Sequence, residues 1–390
     1  MEKRKELLCF LVGRWWLSPH GKCKSLHCSK AYPKATSSDN IVYSNSLRKG
    51  TTSPGLLTMN CSSHYSQNTT SKVPKDCILS SPVFQATGLL WQDIPQEEWS
   101  RLANLLIQKL NLDPTLPETD IRIHQLYMPI FFWLRKICEQ QKSCAPIIGI
   151  SCPQGGGKTT LTFAMQFLFQ QLHRKCAVAS IDDFYITRKE QQELFERERN
   201  PLLEFRGNPG THDVELGVYV LSRLQSCKAN EKVAIPRYNK AAWDGLGDRF
   251  PVEEWYTVDC PVDVILLEGW CLGFQPVKEE ELIDSRLRSI NNRLSAYQRW
   301  HDMLNGWLVI QIEDLNWIYE WRAQAEDMLR QQNRGAMTPE QVRDFVSRFM
   351  PAYQQYLFRF YRSHLLTSEQ NTLQFRIDKQ RNPIPFQNKY

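Results

Sequence analysis

No stretch of this 390-residue chain is apolar for long enough to cross a bilayer, since the best candidate, Leu7 to Leu17, is broken by Gly13 and Arg14. There is no internal repeat. Cysteine is present twelve times but not at metal-ligand spacing. Cys23 and Cys28, with His20 and His27, lack the second Cys/His pair that a zinc finger requires. The seven cysteines beyond Cys77 are scattered singly and are expected to be reduced, buried small hydrophobes of a cytosolic or stromal protein. Acidic residues are scarce at the start: residues 1–75 hold twelve Lys/Arg against Glu2, Glu6 and Asp39, a net of +9, whereas the whole chain is +6 and residues 76–390 therefore balance to −3. The positive excess belongs to the leader, and the rest offers no basic face that would mark nucleic acid as a partner.

That leader is rich in Ser, Thr and Asn and has no sustained period of 2 or 3.6. An acid-poor, basic, Ser-rich N-terminus is the composition of an organelle transit segment, with a solvated disordered tail as the alternative. Residues 1–79 are accordingly expected to be a disordered leader and 80–390 a folded domain, beginning near Ser80-Ser81-Pro82.

The most informative segment is S-C-P-Q-G-G-G-K-T-T, Ser151 to Thr160, which follows the apolar run Pro146 to Ile150 and precedes the helical pattern Leu161 to Met165. Strand, glycine-rich loop, Lys-Thr and helix in this order form a phosphate-binding loop. Gly155, Gly156 and Gly157 let the backbone curl its N–H groups inward at a polyphosphate. Lys158 adds a charge beside the β- and γ-phosphates, Thr159 offers a hydroxyl to Mg²⁺, and Thr160 continues into the helix N-terminus. The usual pattern has glycine where this chain has Cys152, which reads as a small residue packed under the loop.

Further apolar runs, Cys176 to Ile181, Val262 to Leu267 and Trp307 to Ile312, are separated by helical segments. Such runs imply an α/β fold with a parallel sheet buried on both faces, flanked by helices, with functional groups at the strand C-termini. Helices are expected over Trp99 to Leu110, over Asp120 to Gln140 with an interruption at Pro129, over Trp317 to Arg334 and from Phe345 onward. Arg376 to Asp378 reads as a final strand.

Phosphoryl transfer to a small alcohol needs a Mg²⁺-bound polyphosphate, a carboxylate for the hydroxyl proton and cations around the transferring group. Asp182 and Asp183 end the strand after the loop and supply candidates for the base, although an Asp pair there also makes a turn or cap. Glu268, ending the next apolar run, is placed to hold Mg²⁺ or its water. Two aperiodic polar segments, Arg206 to Asp213 and Pro236 to Lys240, extended to Asp248-Arg249, hold the cations and amides that an anionic polyhydroxy acceptor requires. Taken alone, His212 reads as a packed histidine.

Together, G-I-S-C-P-Q-G-G-G-K-T-T from Gly149, S-I-D-D-F-Y from Ser180, R-G-N-P-G-T-H-D from Arg206, P-R-Y-N-K from Pro236 and L-L-E-G-W from Leu266 resemble the D-glycerate 3-kinases of plants and cyanobacteria. These stand within the phosphoribulokinase, uridine kinase and pantothenate kinase group of P-loop kinases. The resemblance implies transfer of the ATP γ-phosphoryl to the 3-hydroxyl of D-glycerate in photorespiration, in the chloroplast stroma, with the cytoplasm as the alternative. Within that scheme Lys158 and the loop hold ATP, Thr159 and Glu268 hold Mg²⁺, and Asp182 takes the acceptor proton. Asp183, Arg206, His212, Arg237 and Lys240 contact glycerate, and Arg322 closes from a helical lid. Cys152 stands where the family usually has alanine, and Asn239 where aspartate is common. The competing readings are a uridine- or pantothenate-type kinase, and a nucleotide-dependent switch with no acceptor.

Overall fold

The apolar runs form a six-stranded sheet in the computed structural model, which describes residues 75–390 apart from 142, 333–334, 364–365, 367–370 and 387–390. Strand β1 (Ile147–Ser151) is flanked by β7 (Val264–Gly269) and β8 (Gly306–Gln311). β2 (Cys176–Ser180) pairs with β7, and β9 (Thr372–Ile377) pairs with β8. All of these pairings are parallel; only the two-residue β10 (Pro383–Ile384) runs antiparallel, at the edge beside β9. Every residue of β1, β7 and β8 is buried, as expected for parallel strands covered on both faces. Smaller ladders pair β3 (Lys232–Ile235) with β6 (Tyr256–Asp259), and β4 (Tyr238–Asn239) with β5 (Asp248–Arg249). The last pair turns the polar segment expected to be aperiodic into a short hairpin.

The helix expected from Trp99 spans Gln96–Leu110, buries Leu102, Leu106 and Leu110 on one face, and ends at Asn111 with φ of 51°. Pro129 does not break its segment. The chain runs from Pro117–Asp120 through a π-helical turn, Ile121–Tyr127, into the helix Met128–Gln140, with Pro129 in that helix's first turn. A proline there has no N–H to offer the preceding turn, and Ser81 Oγ donates instead to the Gln125 carbonyl at 2.6 Å. The expected helix from Trp317 is Asn316–Gln331, with Arg334 outside the described residues. The helix expected to open at Phe345 instead begins at Pro339 and ends at Ser347, started by a capping box between Thr338 and Gln341.

Two expectations are corrected. Cys227 and Cys260 form a disulfide, so they are not the reduced cysteines anticipated; cysteines 33 positions apart carry no pairing signal in sequence. Cys152, Cys176 and Cys271 are free and buried, while Cys144 is exposed. The body also starts before residue 80: Lys75–Leu79 is helical, Ile78 is fully buried, and Gln125 Nε2 donates to Cys77 Sγ at 3.2 Å. His20, Cys23, His27 and Cys28 lie outside the described residues. Among those described, no group of three or more His, Cys, Asp or Glu could hold a metal ion, and no helix is long and apolar enough to cross a membrane.

The revised boundary makes a prediction. Removing residues 1–74 should leave the melting temperature unchanged, whereas removing 1–79 deletes buried Ile78 and should lower stability by about 2 kcal/mol or more. Thermal melts of the two truncations check this, and equal melting temperatures would reject it.

Candidate active site

The loop between β1 and the helix Lys158–Gln170 has the backbone that its glycines permit. Gly155 and Gly157 have φ of 82° and 97°. A Cβ on Gly155 would come within 2.6 Å of Trp321 Cβ, and one on Gly156 would run into Cys152 Sγ. Cys152 is indeed packed under the loop, fully buried, and burial pushes its thiol up to about 11, which keeps it protonated. Lys158 folds over the loop, its Nζ donating to the carbonyls of Cys152 at 2.7 Å and Pro153 at 3.1 Å.

The loop opens into a cavity of about 380 Å³, walled on the catalytic side by Lys158, Thr159, Thr160, Asp182, Glu268 and Trp270. Parallel register explains the convergence: Glu268 on β7 pairs with Ile150 on β1 and Ser180 on β2, so the loop, Glu268 and the Asp182 turn leave one edge of the sheet together. From the far side come Trp321 and Arg322 of the helix Asn316–Gln331, Phe345 of Pro339–Ser347 and Arg381 beyond β9. Arg322 is ion-paired with Glu326, and its guanidinium lies 4.9 Å from the Phe345 ring centroid. Arg381 Nε donates to the Gly155 carbonyl at 2.7 Å while its guanidinium lies over Trp321.

Asp182 is buried, accepting from Lys240 Nζ at 2.7 Å on Oδ2 and from Tyr185 Oη at 2.9 Å on Oδ1. Burial pushes this carboxyl up, but the Lys240 ammonium and the hydrogen bonds outweigh it and hold the pKa at about 2, so Asp182 is ionised at neutral pH. Lys240 in turn lines a second, smaller pocket together with Arg206, Asn208, Arg348, Tyr185 and Phe349. The ion pair therefore stands between the two spaces, and Phe345 lines both.

The other expected contacts divide. His212 is buried, stacked on Tyr185 with centroids 4.6 Å apart; its Nδ1 lies 2.5 Å from Tyr297 Oη, and Nε2 has no protein partner. Arg206 lines the small pocket but spends donors on the carbonyls of Gly245 (2.9 Å), Leu246 (2.5 Å) and Lys240 (3.3 Å), bracing the β4–β5 hairpin. Asp183 is not brought to either space: its Oδ2 accepts from the Ser180 backbone N–H at 3.1 Å in a capping box. Arg237 is exposed, with its guanidinium 5.1 Å from the Phe250 ring centroid, and lines neither space. Arg237 and Lys240 flank the two-residue strand β4 (Tyr238–Asn239), and only Lys240 lines the small pocket. Arg237→Ala should accordingly leave both KM values within about twofold of wild type, whereas Arg348→Ala should raise the acceptor KM by about tenfold, the loss of a charge-assisted contact. Steady-state kinetics with each substrate varied separate the two.

Sequence reasoning missed Asn208, Trp321, Phe345, Arg348 and Arg381. Asn208 lies inside a quoted motif. Trp321 directly precedes Arg322 in the segment W-R-A-Q-A-E, while Phe345, Arg348 and Arg381 come from a helix, its end and a turn far along the chain and had no local signal.

Burial holds both His212 and His301 at about 4, below the usual 6.5. The unfolded chain thus binds more protons between pH 6.5 and 4, so the stability from keeping these rings neutral is complete above pH 6.5 and is lost as pH falls towards 4. By pH 5 each should cost roughly 2 kcal/mol. Urea denaturation at pH 7.5 and pH 5.0 measures it, and equal unfolding free energies would contradict it.

A parallel sheet with a phosphate loop after β1, a carboxylate near the end of β7 (Glu268), another just after β2 (Asp182), and a small pocket beyond that includes Arg206, Lys240 and Arg348 defines a P-loop kinase of small molecules. No family model matches the chain. It is 39% identical over 332 residues to "D-glycerate 3-kinase, chloroplastic" of Arabidopsis thaliana, covering 79% of this chain and 71% of that protein. It is 34% identical over 283 residues to "Probable ATP-dependent kinase TDA10" of Saccharomyces cerevisiae, covering 69% and 94%. The solved D-glycerate 3-kinase of Cryptococcus neoformans superposes with a TM-score of 0.60 at 29% identity, over 66% of this chain and 97% of that one. The chain belongs to the D-glycerate 3-kinase family.

Proposed function

We propose that this kinase transfers the γ-phosphoryl group of ATP to the 3-hydroxyl of D-glycerate, giving 3-phosphoglycerate and ADP. The observation that carries the reading is the Asp182–Lys240 pair, whose carboxylate faces the phosphate-loop cavity while its ammonium lines the small pocket with Arg206 and Arg348. Three cationic side chains around one small pocket suit a carboxylate-bearing acceptor and disfavour a neutral base such as uracil. Thr159 and Glu268 would hold Mg²⁺ through a hydroxyl and a carboxylate oxygen, and the ion would supply charge neutralisation for the transferring group. Lys158 and the loop N–H groups hold the β- and γ-phosphates, Asp182 aligns the acceptor hydroxyl and accepts its proton, and the helices carrying Arg322 and Phe345 exclude water.

We further assign residues 1–74 to organelle targeting, the chloroplast stroma in a plant cell, on the strength of their charge and Ser content. A full-length fluorescent fusion tests it, and exclusively cytosolic signal would refute it. The reaction is tested by coupled ADP release with D-glycerate, L-glycerate, uridine, ribulose 5-phosphate and pantothenate. Selective turnover of D-glycerate is expected, and preference for uridine or pantothenate would overturn the acceptor. A switch protein would release ADP equally with and without any of them.

A further inference from the structure

The small pocket has a volume of about 20 Å³, and a single water molecule needs roughly 10–15 Å³ of such space. A three-carbon hydroxy acid does not fit. Its hydroxyl must also reach the phosphate-loop cavity, which lies across a wall. Part of that wall therefore has to give way as the acceptor enters.

Two groups make up the wall. One is the Asp182–Lys240 pair, buried and bonded at 2.7 Å. The other is Phe345, which lines both spaces and is 8% exposed. Magnitudes decide between them. Withdrawing one member of a buried ion pair costs on the order of 10² to 10³-fold in an equilibrium, whereas a ring contact with a guanidinium or another ring is worth about tenfold. Phe345 is held by contacts of the second kind: the Arg322 guanidinium 4.9 Å from its centroid and the Phe349 ring at 5.2 Å, edge-on. The remainder of the small pocket is braced. Arg206 is bonded to three carbonyls, and Asn208 Nδ2 donates to the Leu202 and Arg348 carbonyls at 2.9 and 3.0 Å. Phe349 packs on Trp270 and lies so close to Gly207 that a Cβ there would come within 2.5 Å of its ring.

We propose that Phe345 is the gate between the two spaces: the entering acceptor displaces its ring, and until then the ring keeps water in the small pocket from the terminal phosphate of ATP. This rests on the reading of the small pocket as the acceptor site. A gate of this kind lowers the apparent affinity for the acceptor by the fraction of molecules in which it is open. It also restrains wasteful hydrolysis, because water reaches the phosphate only when the wall is breached.

The test compares wild type with Phe345→Ala, Phe345→Leu and Phe345→Trp by melting temperature, by KM for ATP and D-glycerate, and by ADP release from ATP alone. Phe345→Ala should raise acceptor-free ADP release about tenfold and lower the D-glycerate KM about threefold, with the ATP KM within about twofold of wild type. Phe345→Leu should move the same way by less, and it serves in place of Phe345→Ala if that variant does not fold. Phe345→Trp, with a larger ring to displace, should raise the D-glycerate KM about threefold and leave acceptor-free release at or below wild type. A ring that only packs the core would shift the melting temperature without changing acceptor-free release. Wild-type release in both Phe345→Ala and Phe345→Leu, or a D-glycerate KM that moves in the same direction in Phe345→Ala and Phe345→Trp, would overturn the gate. If wild type turns over a different acceptor, the D-glycerate assignment fails separately and the gate is judged by the KM for that acceptor. If Arg348→Ala leaves the acceptor KM unchanged, the small pocket is not the acceptor site and the gate falls with it.

Discussion

Asp182→Asn is expected to lower kcat by on the order of 10² to 10⁴ while leaving the KM for ATP within a few fold, because the change keeps the shape and removes only proton acceptance. The environment refines that expectation. With a pKa held at about 2, Asp182 is a weak holder of protons in the ground state, so in the proposed mechanism it would align the hydroxyl and take the proton late, once bond formation to phosphorus has acidified it. The substitution also takes the carboxylate away from Lys240, which is 9% exposed and donates to it at 2.7 Å. Breaking a buried pair by removing one partner costs about 3–5 kcal/mol, so the variant should melt lower. Asp182→Asn combined with Lys240→Met removes both members of the ion pair and should recover part of the stability without recovering kcat. Recovery of both in the double variant would mean that Asp182 serves only to hold Lys240. A raised ATP KM with near-normal kcat would make it a metal-linked residue.

Lys158→Ala is expected to reduce phosphoryl transfer by on the order of 10³ or more, since a preorganised cation at the transferring phosphates is worth most where charge develops. The ammonium donates to the carbonyls of Cys152 and Pro153, which hold it over the loop. Its removal takes no apolar packing from the core, and the melting temperature should shift by only a few degrees. Single-turnover kinetics at saturating ATP separate lost chemistry from lost binding. Wild-type turnover in a folded variant would refute the phosphate-loop assignment.

The sheet and the loop were legible because their physics is local. Five-residue apolar runs such as Ile147 to Ser151 can only be buried strands once helical segments separate them, and three consecutive glycines before Lys-Thr prescribe a backbone that accepts phosphate. Pro129 misled because a proline inside a helical pattern ordinarily ends it, whereas here a distant serine takes over the freed carbonyl of Gln125. Asp182 and Asp183 were indistinguishable in sequence. Only the turn that follows β2 sends one carboxylate to Lys240 and turns the other back onto the Ser180 backbone.

What the sequence determined by itself was the class of chemistry: a parallel α/β sheet, a phosphate loop and acidic groups at the strand ends, because periodicity, glycine conformation and charge act over a few residues. What only the tertiary structure decided was where the candidate cations lie. Lys240 meets Asp182 across 58 positions, Arg381 reaches the loop across 226, and Cys227 joins Cys260 across 33, while Arg237 is left on the surface. Contacts of that separation are set by how helices and strands pack in three dimensions, and no short-range pattern in the chain encodes them.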